Sequence, residues 1–159
     1  MAEFTNNPVQ VVQPNQQVLL NTTIGCPKGY VIHREGSGIV TLRGIVNSQS
    51  CFARYQVTFN GNIAIPNGGT VSPISVSVAI DGEPILTSKA IFTPAAVADA
   101  TDTDNNYGNV TSTAIVTVPK GCCFNVSVEN TSTVPTTPAG SNAPAINVKN
   151  ANLVVTRIA

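Results

Sequence analysis

Four cysteines, one histidine and a short acidic run are the side chains of this sequence whose types and spacing could do chemistry. Cys26 and Cys51 stand apart, whereas Cys122 and Cys123 are adjacent and follow the turn Pro119-Lys120-Gly121. Zinc sites draw on closely spaced cysteine pairs and on histidines. No Cys-x-x-Cys occurs here and there is one His, so zinc is disfavoured, while free thiols and disulfides both stay open. Neighbours on a strand point to opposite faces, so at most one of Cys122 and Cys123 can enter a core. Of the three complete intrachain pairings that four cysteines allow, the one joining these neighbours is strained. An outward thiol on an assembling protein can crosslink subunits, which makes Cys26, Cys51, Cys122 and Cys123 crosslink candidates.

The run Asp99-Ala100-Thr101-Asp102-Thr103-Asp104-Asn105-Asn106 holds three of the chain's eight acids. Calcium favours oxygen-rich flexible loops, so Asp99, Asp102 and Asp104 form a calcium candidate. The helix–loop–helix pattern fails, since Tyr107 stands where its glycine should fall and no acid follows at the bidentate position; a solvated loop tip is the alternative. Nucleophilic catalysis needs a Ser or Cys beside an oriented base. The lone His33 sits in Tyr30-Val31-Ile32-His33-Arg34-Glu35, next to its own Arg and Glu, and reads as hydrogen-bonded or superficial. Gly36-Ser37-Gly38 lacks a nucleophile-elbow context, and no glycine-rich phosphate loop is present. Neither an enzyme nor a cofactor is expected.

The elements that must position these groups are strands. The stretch Ile74 to Ile80 alternates apolar with small residues and stops on Asp81-Gly82, the grammar of a half-buried strand entering a hairpin. This strand is one of ten expected, near residues 17–23, 30–34, 38–46, 52–59, 62–66, 73–80, 85–92, 111–118, 123–129 and 146–157. Gly, Pro, Asn and Asp separate them, as at Asn60-Gly61-Asn62 and Pro66-Asn67-Gly68-Gly69. Only Pro94 to Ala100 could make a helical turn or two. Alternation sets Ala53, Tyr55, Val57 and Phe59 against Arg54, Gln56 and Thr58, and Phe124, Val126 and Val128 against Asn125, Ser127 and Glu129. The 113–118 and 153–155 strands are apolar on both faces, which marks them for burial on both sides. Residues 1–16, with Pro8 and Pro14 around Val9-Gln10-Val11-Val12, read as an extended arm, disordered or laid against a neighbour.

Composition narrows the partners. In 159 residues only 10% are charged, against about 25% in ordinary globular chains. Eight basic residues balance eight acidic ones, which argues against nucleic acid because phosphate binding needs clustered basic charge. So few charges also suggest a surface covered by other subunits. No run nears the ~18 apolar residues of a membrane span, and the start lacks a signal peptide's basic and apolar regions. An extracellular location would be reached by lysis or by another non-classical route.

The pattern Gly61-Asn62-Ile63-Ala64-Ile65-Pro66-Asn67-Gly68-Gly69-Thr70, the strand to Asp81-Gly82, Val116-Thr117-Val118-Pro119-Lys120-Gly121 leading into Phe124 to Val128, and the closing Asn152-Leu153-Val154-Val155 carry a resemblance. Over roughly residues 17–159 the chain resembles the trimeric jelly rolls of the tumour-necrosis-factor and complement type. More closely, it resembles the C-terminal domains of bacterial collagen-like exosporium glycoproteins and small structural proteins of spore-forming Firmicutes and their phages. The resemblance implies an all-β, antiparallel jelly-roll sandwich over residues 17–159 that packs as a homotrimer with a structural or surface-display role. The collagen-like Gly-X-Y stalk is absent, and the arm 1–16 stands in its place.

The expectation is therefore a self-assembling subunit of a spore- or cell-surface layer, an appendage or a virion. Its partner is itself, as a homotrimer and in higher assemblies. The arm would dock through Val9, Val11 and Val12, and subunits would meet through Ile115, Val116, Val118, Val154 and Val155. The alternative is a module that recognises a glycan or a host protein, which predicts a cleft lined by aromatics; aromatics are 5% and Trp is absent.

Overall fold

A computed structural model of the chain describes residues 1–27, 29–136 and 141–159. Twelve strands follow in order: β1 (Ala2–Asn6), β2 (Gln10–Val12), β3 (Thr22–Ile24), β4 (Val31–His33), β5 (Val40–Arg43), β6 (Phe52–Ala64), β7 (Ile74–Ile80), β8 (Glu83–Pro84), β9 (Ala90–Phe92), β10 (Gly108–Pro119), β11 (Cys123–Asn130) and β12 (Ile146–Arg157). They form two six-stranded antiparallel sheets. The first runs β10-β6-β12-β1-β3 with β2 beside β12; the second runs β4-β5-β11-β7-β8 with β9 beside β7. The chain is an all-β sandwich, as the turn and strand grammar leads one to expect, and its jelly-roll form is the one the resemblance implies.

Alternation explains the core. Ala53, Tyr55, Val57 and Phe59 are buried along β6 and meet Val40, Leu42, Val76, Val78, Val126 and Val128 of the facing sheet within one cluster. The Tyr55 hydroxyl donates to the Arg43 carbonyl at 2.6 Å, tying the two sheets together near one end. Asp81 and Gly82, at φ 51° and 82°, make the two-residue hairpin that joins Ile80 to Glu83.

Three expectations are corrected. Asn60-Gly61-Asn62 is not a turn: β6 runs straight through it, paired with Thr111, Val110 and Asn109 of β10, and the glycine leaves room for the Phe59 ring, where a Cβ would lie 2.7 Å from Phe59 Cζ. The residues 94–100 make no helix; among the described residues the one helical element is the three-residue 3₁₀ turn Leu86–Ser88. Residues 1–16 are not a free arm either. β1 lies between β12 and β3, hydrogen-bonded on both sides with Ala2, Phe4 and Asn6 buried, and β2 pairs with Ile146 to Val148. The register shift between Lys149 and Asn152, with Asn150 at φ 52°, lets β12 serve β2 and then β1.

Candidate functional site

The outer face of the first sheet is a regular surface five strands wide. Register places Thr111, Asn60, Asn152, Thr5 and Thr22 in one row across five strands. The next row is Thr113, Thr58, Val154, Glu3 and Ile24, and a third begins Ile115, Gln56, Thr156. Five strands at about 4.8 Å spacing span roughly 20 Å. Glu3 is the one charge in these rows, and its carboxylate accepts from the Asn152 amide. The remaining polar groups bond one another: Asn60 Nδ2 donates to Asn109 Oδ1 at 3.1 Å and to Thr111 Oγ1 at 2.9 Å, and Asn109 Nδ2 returns a bond to Asn60 Oδ1 at 3.0 Å. Among them stand Ile115, 53% exposed, and Ile24, 49% exposed. Self-satisfied amides and hydroxyls around exposed aliphatics make a flat surface whose burial forfeits little hydration.

The five positions expected at a subunit interface divide by parity. Ile115 and Val154 point outward, but Val116, Val118 and Val155 are buried in this chain's own core and cannot touch a neighbour. Ile115 is the only apolar residue that β10 turns outward between Val110 and Val118; the rest of that row is Thr111, Thr113 and Thr117. The arm positions divide likewise. Val12 is buried within this chain, Val9 is half-buried, and only Val11 is fully outward, so they form no common docking strip.

The acidic residues do not converge. Asp99 Oδ2 accepts from Thr103 at 2.5 Å and Asn105 at 2.9 Å, donors that hold its carboxyl below the usual aspartate range. Asp102 and Asp104 turn to the largely buried Lys149 ammonium, at 3.4 and 2.6 Å, which also sits 4.2 Å from the centre of the Tyr107 ring. A lysine thus occupies the place a cation would take, and among the described residues no group of three or more His, Cys, Asp or Glu could hold a metal ion. His33 is committed as well. Its Nε2 lies 3.1 Å from the Ser37 carbonyl, which can only accept, so Nε2 carries a proton, and Nδ1 lies 3.1 Å from Thr23 Oγ1. The ring leans on Phe4 at 4.6 Å.

All four cysteines are exposed and unpaired, and they lie at one end of the sandwich. Cys123 faces Arg43 in register, Gly44 N–H donates to the Cys122 carbonyl at 2.8 Å, and Lys120 N–H donates to the Cys51 carbonyl at 2.9 Å. Cys26 borders a small cavity with Met1, Tyr30 and Arg157 at the same end.

Two buried sites escape the alternation. Ser75 and Ser77 face a neighbour by pattern, yet both bond to the hydroxyl of Thr131, at 3.1 and 2.9 Å, as the chain folds back over its own strand. Glu129, expected outward, is only 7% exposed. Residues 16–18 run beside β11, with Val18 N–H on the Val128 carbonyl at 2.7 Å, and Gln10, Val11, Asn15, Gln16, Gln17 and Leu19 line a groove of about 470 Å³ next to the carboxyl. Burial pushes the Glu129 carboxyl above the usual glutamate range; the Ser127 hydroxyl, donating at 3.1 Å, opposes the rise and the Glu83 charge adds to it.

The folded state therefore binds this proton more tightly than the unfolded one. Its contribution to stability is full below the unfolded glutamate's value and is lost as pH rises through the folded value. Glu129→Gln should flatten that fall and stabilise the chain at neutral pH. Denaturant midpoints taken from acid to neutral pH check this; equal slopes in the two proteins would overturn it.

No protein-family model matches the chain, and no curated protein matches its sequence. Among solved structures the globular domain of zebrafish complement 1qA is similar, with TM-score 0.53 and 14% identity over 96% of this chain and 94% of that one. CBM35 from Cellvibrio japonicus Abf62 aligns with TM-score 0.34 at 13% identity, covering 99% and 97% of the two chains. The CBM22-1 xylan-binding domain from Paenibacillus barcinonensis Xyn10C gives 0.32 at 10%, covering 99% and 87%. The complement likeness, at such low identity, shows the jelly-roll fold alone. Among the described residues no helix is long and apolar enough to cross a membrane.

Proposed function

We propose that this chain is a structural, self-assembling subunit that forms a homotrimer through the outer face of its first sheet. The observation that carries the reading is that five-stranded face, with Glu3 and Arg54 as the charges in its rows, its amides bonded to one another and Ile24, Ile115 and Val154 set among them. Such a face suits close packing, and the carboxylate it carries, that of Glu3, is already bonded to the Asn152 amide. An external layer of a spore or cell, an appendage or a virion is the setting we propose, and the collagen-like exosporium domains and phage structural proteins are the kinds of protein it would stand beside.

Light scattering in reductant should give three times the 16.5 kDa chain mass. Paired substitution Ile115→Lys and Val154→Lys, which brings like charges together across the interface, should reduce it to the single-chain mass with the β-sheet spectrum intact. A monomeric native chain, or a doubly substituted chain that still forms trimers, would sink the reading.

A second reading, recognition of a glycan or a protein surface, draws on the amide-lined groove beside Glu129. Amides and a carboxyl can bond sugar hydroxyls, although no aromatic side chain lines the groove. A glycan array with no binding would remove its saccharide form.

A further inference from the structure

We infer that the cysteine-bearing end of the sandwich is a covalent coupling face for a second copy of this chain. Three segments far apart in sequence bring the four thiols to this one end: the loop after β3 carries Cys26, the loop before β6 carries Cys51, and the turn into β11 and the first residue of that strand carry Cys122 and Cys123. Their backbones are fixed to one another. Gly44 bonds to Cys122 and accepts from Gly121 at 3.0 Å, while the Cys51 carbonyl takes the Lys120 N–H. The thiols themselves are solvent-exposed. Beside them Met1, Ile45, Phe52 and Ile158 expose apolar side chains, on the same loops or at the chain ends that close this pole. A contact here would thus bury aliphatic and aromatic surface as well as join sulfurs.

The partner follows from the chemistry. A disulfide needs a thiol on each side, and this chain holds its four cysteines at this end and nowhere else. Two copies supply sulfur opposite sulfur when this end of one meets the same end of the other, and the two-fold, isologous form of that contact is the arrangement inferred. The oxidant is a low-molecular-weight disulfide. The thiolate of one copy attacks it, forming a mixed disulfide and releasing one small thiol; the thiolate of the second copy attacks the mixed disulfide and releases the other. Two protein thiols lose two protons and two electrons in all, and one small disulfide is reduced to two thiols.

This contact does not depend on the trimer reading, since the trimer would use the broad face of the first sheet and the coupling uses its end. The test is to treat the reduced native protein with oxidised glutathione and to follow non-reducing denaturing gels and intact mass. Species of two or more chain masses should form and return to single chains with reductant. Substitution of Cys26, Cys51, Cys122 and Cys123 together by Ser should abolish them while the mass by light scattering in reductant stays as in the unsubstituted protein. Alkylating the folded wild-type chain with iodoacetamide should abolish them too, without any substitution. Oxidation that leaves single chains, whether bridged internally or carrying glutathione, overturns the proposal. A chain that is monomeric in reductant yet couples on oxidation would sink the trimer reading and leave this one standing.

Discussion

A chain lacking residues 1–16 should fail to reach the native sandwich, and Phe4→Ala alone should cost about 3–5 kcal/mol of stability. β1 is an interior strand: five of its residues face β12 and three face β3 in register. Phe4 is completely buried and carries the His33 ring. Asn6 ties the strand to the next turn, donating to the Leu19 carbonyl at 3.2 Å and accepting from Asn21 at 3.1 Å. Removing the segment opens the β12 edge, leaves β3 without a neighbour and empties the volume of a phenyl ring. Domains of this size are stable by only about 5–15 kcal/mol, so such a loss is a large fraction of the whole. Denaturant unfolding followed by circular dichroism checks both proteins. A truncated chain that unfolds cooperatively at the wild-type midpoint would restore the free arm.

Gly44→Ala should be the most damaging of the glycine substitutions at the cysteine end, costing about 3 kcal/mol or more. An added Cβ would lie 1.9 Å from the Pro119 carbonyl oxygen and 2.8 Å from its carbon. Both are backbone atoms, and no rotamer relieves the clash. The strands cannot separate locally either, because Gly44 donates to Cys122 and accepts from Gly121 across the same gap. Gly121 offers the contrast: its φ is +79°, but no atom stands within 4 Å of the place an alanine Cβ would take. Its substitution by Ala should cost only the left-handed strain of about 1–2 kcal/mol. Midpoints in denaturant with unchanged slopes would rank the two, and Gly121→Ala proving the worse would overturn this account of the packing.

Much of the sandwich is legible in the sequence, because strand alternation is a local property. The faces of β6 and the bounds of β12 follow from period-two patterns, and the Asp81-Gly82 hairpin from the positive φ both residues accept. Where alternation misleads, a distant segment decides. Glu129 is polar at an outward parity and is buried only because residues 16–18 lie beside it. Ser75 and Ser77 are covered by Thr131, more than fifty residues away. Pro8 and Pro14 give the N-terminal segment the look of a linker, although the alternating Ala2, Phe4 and Asn6 already carry the signature of a half-buried strand. Of the candidate sites, the identity of the cysteines is plain but their meeting is not, since no spacing along the chain announces that three loops share one end. The aspartates form a group by spacing, yet Lys149, outside their loop, determines what two of them do.

The placement of the chain ends has a mechanical meaning. Ala2 faces Val155 and Arg54 N–H donates to the Ala159 carbonyl at 2.9 Å, so both termini emerge side by side at the cysteine end. Tension applied through the termini would peel β1 from β12 one pair at a time. Force entering at Cys51 or Cys122 and leaving across the first sheet's outer face instead runs along β6 and β10. Their ladder bonds lie across that direction, so the whole row resists in shear and shares the strain at once. An array joined at its loops would hold under loads that unzip one strung through its termini.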